Sequence, residues 1–223
     1  VAQTGSLDDL RSAIDTLRSP GGCPWSAEQT HRTLLPYLIE ECYEYVDAVE
    51  TGTADDMVEE LGDVLWQVVF HSRLGEEDSS AFTLDDVAAA LLRKVVRRHP
   101  HVFDTGSDAF PGGAVDIEWV EGAWETIKAA EKSDRESMFD GIPTALPALT
   151  RAHKVLRRIG RARLDVPDPE SATPGDADPE AGRIGAELLT LVREAEEKGV
   201  DAEAALRHAV RDLERAARRQ ESS

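Results

Sequence analysis

An all-α fold is what this 223-residue sequence predicts. Three observations carry the expectation. Apolar residues recur at helical spacing through nearly the whole chain, no segment combines strand alternation with β-branched enrichment, and Pro/Gly clusters fall where the helical runs stop. The first helix is expected from about Leu7 to Leu17, broken by SPGGCPW. A long helix then reaches about Glu50, and in it Leu35, Leu38, Ile39, Cys42, Val46 and Val49 follow helical spacing and predict the buried stripe. Thr51-Gly52-Thr53 ends that helix, and Ala54 to about Leu74 forms the next. GEEDSS reads as a loop, and Leu84 to Arg98 is a helix that Pro100 terminates. Short connections predict antiparallel neighbours, hence a helical bundle. Asp104 to Gly113 reads as a loop, Val115 to Lys132 as a helix carrying Trp119 and Trp124, and Leu149 to Arg163 as a basic helix after Pro143 and Pro147.

Between Val166 and Gly182 the composition VPDPESATPGDADPEAG is that of a flexible linker, which predicts a domain over 1–165, a linker over 166–182 and a C-terminal unit over 183–223. That last unit resembles a shortened second copy of the earlier helices: RIGAELLTLV, a break and EAALRHAVRDLERAARR follow ELGDVLWQVV, a break and DDVAAALLRKVVRR. In this alignment Glu60 becomes Arg183 and Asp63 becomes Ala186. The copy has lost its acids, so packing and oligomer formation are its expected roles.

With 44 acidic against 25 basic residues and a formal net charge of −19, the chain disfavours nonspecific binding to a nucleic acid polymer or an anionic membrane. No apolar stretch approaches a membrane span, and VAQTGSLDDL lacks the order of a signal peptide, so a cytoplasmic location is expected. The two cysteines, Cys23 and Cys42, make no disulfide framework, and Cys42 is expected in the core. Because the chain does not begin with Met, a segment upstream of Val1 is expected.

The chemistry concentrates in two acidic runs. Glu40, Glu41 and Glu44 lie in EECYE, and Glu60 and Asp63 in EELGD. At about 100° per residue, Glu40 and Glu44 fall roughly 40° apart on one helix and Glu60 and Asp63 roughly 60° apart on the next. Asp63 sits inside LGDVLWQVVF, a run so apolar that its helix is expected to be nearly surrounded by protein. An ionised carboxylate there needs a partner. A cation shared with the Glu40 helix supplies one, and the alternative is a pair of solvated acidic faces. Carboxylates without histidine favour Mg²⁺, with Mn²⁺ as substitute, over zinc. Mg²⁺ in turn points to a phosphate ester or anhydride as substrate.

Such a substrate needs positive groups as well. Lys94 and Arg98 are i, i+4 on one helix with Arg97 beside them, and Trp124 and Lys128 are i, i+4 on another. A solvated basic face is the alternative for the first set, and core packing for Trp124 against base stacking. Asp116 near a helix start reads as a cap. Glu28-x-x-His31 is half of a di-iron signature, and His99-Pro100-His101 lacks a third ligand.

The blocks CPWSAEQTHRTLLPYLIEECYEYVDAVE, EELGDVLWQVVFHSRL, FTLDDV, RRHPHVF and LPALTRAHKVLRR together resemble the MazG family of nucleoside triphosphate pyrophosphohydrolases over about Leu7 to Arg163. The resemblance implies an oligomeric all-α NTP pyrophosphatase fold. It implies Mg²⁺-dependent hydrolysis of NTPs and dNTPs, with broad specificity, to monophosphate and pyrophosphate, in the service of nucleotide-pool house-cleaning. By the family pattern Glu40, Glu41, Glu44, Glu60 and Asp63 are the metal and catalytic acids, and Lys94, Arg98, Asp116, Trp124 and Lys128 match nucleotide-contacting positions. Ser26 departs from the pattern, which often has Asp after CPW.

Overall fold

Helix starts are set by local hydrogen bonding. In each of four places a Ser or Thr side chain accepts the backbone N–H three residues on, while that residue's side chain reaches back to the cap: Ser6 with Asp9, Thr30 with Thr33, Thr53 with Asp56 and Thr83 with Asp86. The computed structural model describes residues 5–77, 81–104, 116–131, 136–167 and 178–221. Within them are α1 (Leu7–Arg18), α2 (Pro24–Glu28), α3 (His31–Thr51), α4 (Ala54–Gly75), α5 (Leu84–Arg98), α6 (Pro100–Phe103), α7 (Ile117–Ala130), α8 (Ala148–Ala162), α9 (Pro179–Glu197) and α10 (Ala202–Glu221), and no strand. The all-α expectation holds, and the limits of α1, α4 and α5 follow the sequence reading closely. Pro100 ends α5 as expected but also opens the short α6, because proline suits the first turn of a helix. The expected loop over 104–113 falls almost wholly outside the described residues. None of the described helices is long and apolar enough to cross a membrane.

Two compact units form, Val1–Ala130 and Glu131–Ser223. In the first, α3 and α4 make the most extensive helix pair. Their connection is tight at Gly52, where a Cβ would come within 2.8 Å of the Ala48 carbonyl oxygen, so glycine is required by close approach. The core gathers Ile14, Leu34, Val69, Phe70, Leu74 and Leu84, with Leu10 and Trp66 against it. In the second unit α8 packs on α9, and α10 on both, around the buried Leu156 and Val192. The linker read from composition over 166–182 falls largely outside the described residues. The apolar face of α8 finds its cover on α9 and α10, a pairing that composition does not encode.

Two sequence expectations are corrected. The α3 stripe is not buried: Leu35 is 50% exposed, Ile39 55% and Val49 54%, and Cys42 is also exposed. Leu34 and Ala48 are buried instead, because α3 presents only the face Leu34, Leu38, Glu41, Tyr45 and Ala48 to its neighbour. Likewise α4 is not surrounded. Its C-terminal half is enclosed, with Gln67, Val69, Phe70, Ser72 and Leu74 buried, but Val58 (73% exposed), Leu61 (51%) and Leu65 (41%) form an open stripe on its N-terminal half. Among the described residues only α3, α1 and α5 pack closely on α4, too few to close the whole circumference.

One arginine at the end of α1 ties α2 to the residues just past α4. The Arg18 guanidinium donates to both Glu77 oxygens at 2.7 and 2.8 Å and to the carbonyls of Ser26 and Gln29 at 2.6 and 3.1 Å. It also lies 5.9 Å from the Phe70 ring centroid. Its side chain is only 10% exposed, so these charge-assisted bonds are worth more than those of a surface pair. Arg18→Ala is expected to destabilise the protein by about 2 kcal/mol, and Arg18→Lys, which keeps the charge but not the fork, to recover less than half of that. Urea unfolding of the three proteins measures both.

Candidate metal centre

The face that α3 turns toward α4 carries one acid, Glu41, between Leu38 and Tyr45. The opposing face of α4 is Met57, Glu60, Val64, Gln67 and His71, with Asp63 on its edge. Pairing the two helices therefore forces Glu41 against Glu60 and Asp63. One carboxylate oxygen from each of the three lies within 4.8 Å of the others, the one such grouping of three or more His, Cys, Asp or Glu among the described residues. Glu41 and Glu60 are half-buried and Asp63 is exposed, which corrects the expectation of an enclosed Asp63.

The electrostatics are those of like charges held together. Burial pushes the Glu41 carboxyl above the usual range, helped by a hydrogen bond shared with Glu44 and by repulsion from Asp63, Glu44 and Glu40. Burial also raises Glu60, with Glu44, Glu59, Asp63 and Asp56 adding to it. Every charged group named in these shifts is acidic. Glu44 thus borders the trio, touching Glu41 and repelling Glu60. Glu40 is exposed and stays outside the three-oxygen group, acting on Glu41 by repulsion. Three converging hard oxygen donors without histidine fit a small divalent cation, which would offset the mutual repulsion of these acids.

The other expected site residues separate into groups. Lys94 is exposed on α5. Arg98, half-buried, stands 5.7 Å from the Trp124 ring centroid, and His99 is 6.0 Å from the same ring, so two expected nucleotide-contacting positions meet across α5 and α7. Trp124 is 37% exposed, which leaves part of its surface open. Asp116 does what a cap does, its Oδ1 accepting the Trp119 backbone N–H at 2.8 Å. Lys128 belongs to α7, but its side chain lies outside the described set. His31 is engaged elsewhere than in a metal site, its Nδ1 2.8 Å from the Nδ1 of His71. His99 and His101 have ring centroids 5.8 Å apart, His101 beside Trp119.

Sequence reading missed Gln67 and His71. Both continue the Glu60 face of α4 at helical spacing, and a glutamine inside so apolar a run was the available signal. Gln67 is 3% exposed with an unpartnered Oε1, and the Nε2 of His71 is buried and likewise unpartnered.

A family model described as the MazG nucleotide pyrophosphohydrolase domain matches residues 29–103, which span α3, α4 and α5. The chain is 38% identical over 221 residues to the nucleoside triphosphate pyrophosphohydrolase/pyrophosphatase MazG of Thermotoga maritima, covering 92% of this chain and 81% of that one. It is 41% identical over 162 residues to the nucleoside triphosphate pyrophosphohydrolase of Escherichia coli (strain K12), covering 71% of this chain and 59% of that protein's length. Among solved structures, a mazG-related protein from Thermotoga maritima aligns with a TM-score of 0.44 at 24% identity, over 55% of this chain and 98% of that one. The extent of the Thermotoga match, together with the family model lying across the carboxylate helices, means that the chain belongs to the MazG nucleotide pyrophosphohydrolase family.

Proposed function

We propose that this chain is a Mg²⁺-dependent nucleoside triphosphate pyrophosphohydrolase, acting in the cytoplasm on NTPs and dNTPs to give the monophosphate and pyrophosphate. The observation that carries the reading is the convergence of Glu41, Glu60 and Asp63 oxygens within 4.8 Å, inside the family-matched segment. Glu41, Glu60 and Asp63, with Glu44 alongside, would hold Mg²⁺, or Mn²⁺ in its place, which would supply a Lewis acid for the phosphate and lower the pKa of the attacking water. A carboxylate, Glu41 or Glu40, takes the proton as water attacks the α-phosphorus. The new P–O bond forms as the bond to the β-phosphate oxygen breaks, and pyrophosphate leaves. Lys94, Arg98 and Lys128 are assigned to its negative charge, and the cation–π contact with Trp124 holds Arg98 in place. Contacts to metal and phosphate ignore the base, so specificity among nucleotides is broad.

We assign self-association to the open stripe Val58, Leu61 and Leu65 of α4 with Ile39 and Val49 of α3, which a second copy would cover.

Three outcomes are expected. Glu41→Gln and Asp63→Asn each reduce pyrophosphate release from ATP by at least about a hundredfold, as loss of a metal or proton-accepting group does, while leaving the melting temperature unchanged or higher. Wild-type turnover in either variant rejects the site. Because the folded state holds Glu41 and Glu60 above their unfolded pKa, it binds more protons, and the stability this confers is lost as pH rises through the raised values. Added Mg²⁺ is therefore expected to raise the melting temperature at pH 7 and to do so progressively less toward pH 4.5; a shift independent of pH contradicts the assignment. Leu61→Glu is expected to convert an oligomer into a monomer by light scattering at unchanged helix content, and a wild-type monomer at micromolar concentration rejects the interface.

A further inference from the structure

His31 opens α3 and His71 lies toward the end of α4, so the two rings meet at the end of the helix pair away from its connection at Gly52. Their Nδ1 atoms are 2.8 Å apart, their ring planes differ by 9° and their centroids are 5.1 Å apart. That centroid separation is the nitrogen contact plus one ring radius at each end, the largest that two rings so joined can reach. The imidazoles therefore lie end to end in one plane, each Nδ1 aimed at the other. Two bare nitrogens so aimed would repel and two N–H groups would clash, so one proton lies between them, carried by one ring and accepted by the other. A metal ion in line between the same atoms needs about 4 Å, twice a metal–imidazole bond, so the contact admits a proton only.

The surroundings leave this bond to itself. Phe82 lies beside His31 with ring centroids 6.1 Å apart, and it is set by a close approach, since a Cβ on Gly75 would fall 2.6 Å from its ring. The His71 Nε2 is buried without a partner among the described residues, so Nδ1 makes the one side-chain hydrogen bond of that ring. Charged groups on the helices packed against α4 are engaged elsewhere: Arg11 of α1 with Glu76 and Asp85, Asp15 of α1 with Arg73, and Asp86 of α5 with its Thr83 cap. On α3 the residues that follow His31 on its own side, Leu34, Leu35 and Leu38, are apolar, and Glu28 and Arg32 are exposed. Burial, and after it His31, lowers the His71 imidazole below its usual range, with no acid and no further base contributing.

We propose that His31 and His71 are an acid-released latch: a proton shared between their Nδ1 atoms holds the start of α3 to the end of α4, and charging both rings frees it. One added proton leaves the bond intact, because a charged imidazole donates to a neutral one. A second makes both nitrogens donors and breaks it. His71 binds its proton less readily folded than unfolded, so the latch contributes stability above the ordinary imidazole value of about 6.5 and loses it as pH falls below that value. Gly52 closes one end of the α3–α4 pair and the imidazoles close the other. The carboxylates stand between, Asp63 eight residues from His71 and Glu41 ten from His31, or about 12–15 Å at 1.5 Å rise per residue. The latch does not depend on the pyrophosphohydrolase reading.

The experiment uses the full chain labelled with ¹⁵N in histidine. Long-range ¹H–¹⁵N correlation at pH 7.5 is expected to show one ring of the pair protonated on Nδ1 and the other on Nε2. His31→Gln, a change at an exposed position, assigns the pair by removing one signal and shifting the other. The same tautomer in both rings leaves no proton to share and overturns the proposal. The second measurement is hydrogen exchange by mass spectrometry at pH 7.5 and pH 5, corrected for the intrinsic pH dependence of exchange. In the wild type the amides of residues 34–39 are expected to lose protection relative to those of 44–51 on acidification, by up to about tenfold per pH unit, the limit for one proton. His71→Phe, which keeps a ring but cannot be charged, is expected to abolish that pH dependence. An equal change in both segments of the wild type, or a loss undiminished in His71→Phe, overturns the latch. Should His71→Phe fail to fold, the tautomers and the wild-type exchange decide the matter by themselves.

Discussion

Like-charge contact between α3 and α4 is the constraint on which the N-terminal unit depends. The two helices pack along faces that are apolar on either side of Glu41 and Glu60, so close packing of Leu34, Leu38, Ala48 and Val64 cannot be had without bringing the acids together. Neither helix can escape by sliding. Gly52 closes their connection against the Ala48 carbonyl, and the Thr53–Asp56 box fixes where α4 begins. A shift of one residue on α4 would rotate Glu60 and Asp63 by about 100° and separate the group. The repulsion is thus held in place by the stability of the rest of the unit, including the Arg18 fork at the far end of α4.

That arrangement makes the seam a graded surface. The acids occupy the part where α4 is least enclosed, which leaves Asp63 open to solvent and to a ligand. One turn on, α4 becomes enclosed by α1 and the core, and there the seam widens into the cavity of Gln67 and His71. A candidate metal centre open to solvent thus lies one turn from an open apolar cavity on the same seam.

The helix limits were legible because they are written locally, in caps, prolines and glycines that act within a few residues. The acids of the site were legible for the same reason, since i, i+3 and i, i+4 spacing needs no tertiary knowledge. Which face of α3 is buried was not. Leu35, Ile39 and Val49 have the periodicity of a core stripe, yet burial goes to Leu34 and Ala48, because one neighbour covers one face and the remaining apolar positions stay open in the single chain. The same effect leaves Asp63 in water although its neighbours in sequence are apolar. Gln67 and His71 were passed over because a neutral side chain in an apolar run carries no charge signal, and only packing shows its amide oxygen to be unpartnered. The pairing of α8 with α9 and α10 is tertiary as well, since it joins segments on either side of a stretch that reads as a linker.

The most direct test of the central claim is cation binding itself, measured without substrate. Electron paramagnetic resonance of Mn²⁺ titrated into the metal-free protein reports the free ion, which the protein should deplete in competition with Mg²⁺. The account predicts saturable binding in the wild type that is lost when Glu60 and Asp63 are replaced together by Gln and Asn. Mn²⁺ left free by the wild type, or bound equally well by the double variant, would contradict it.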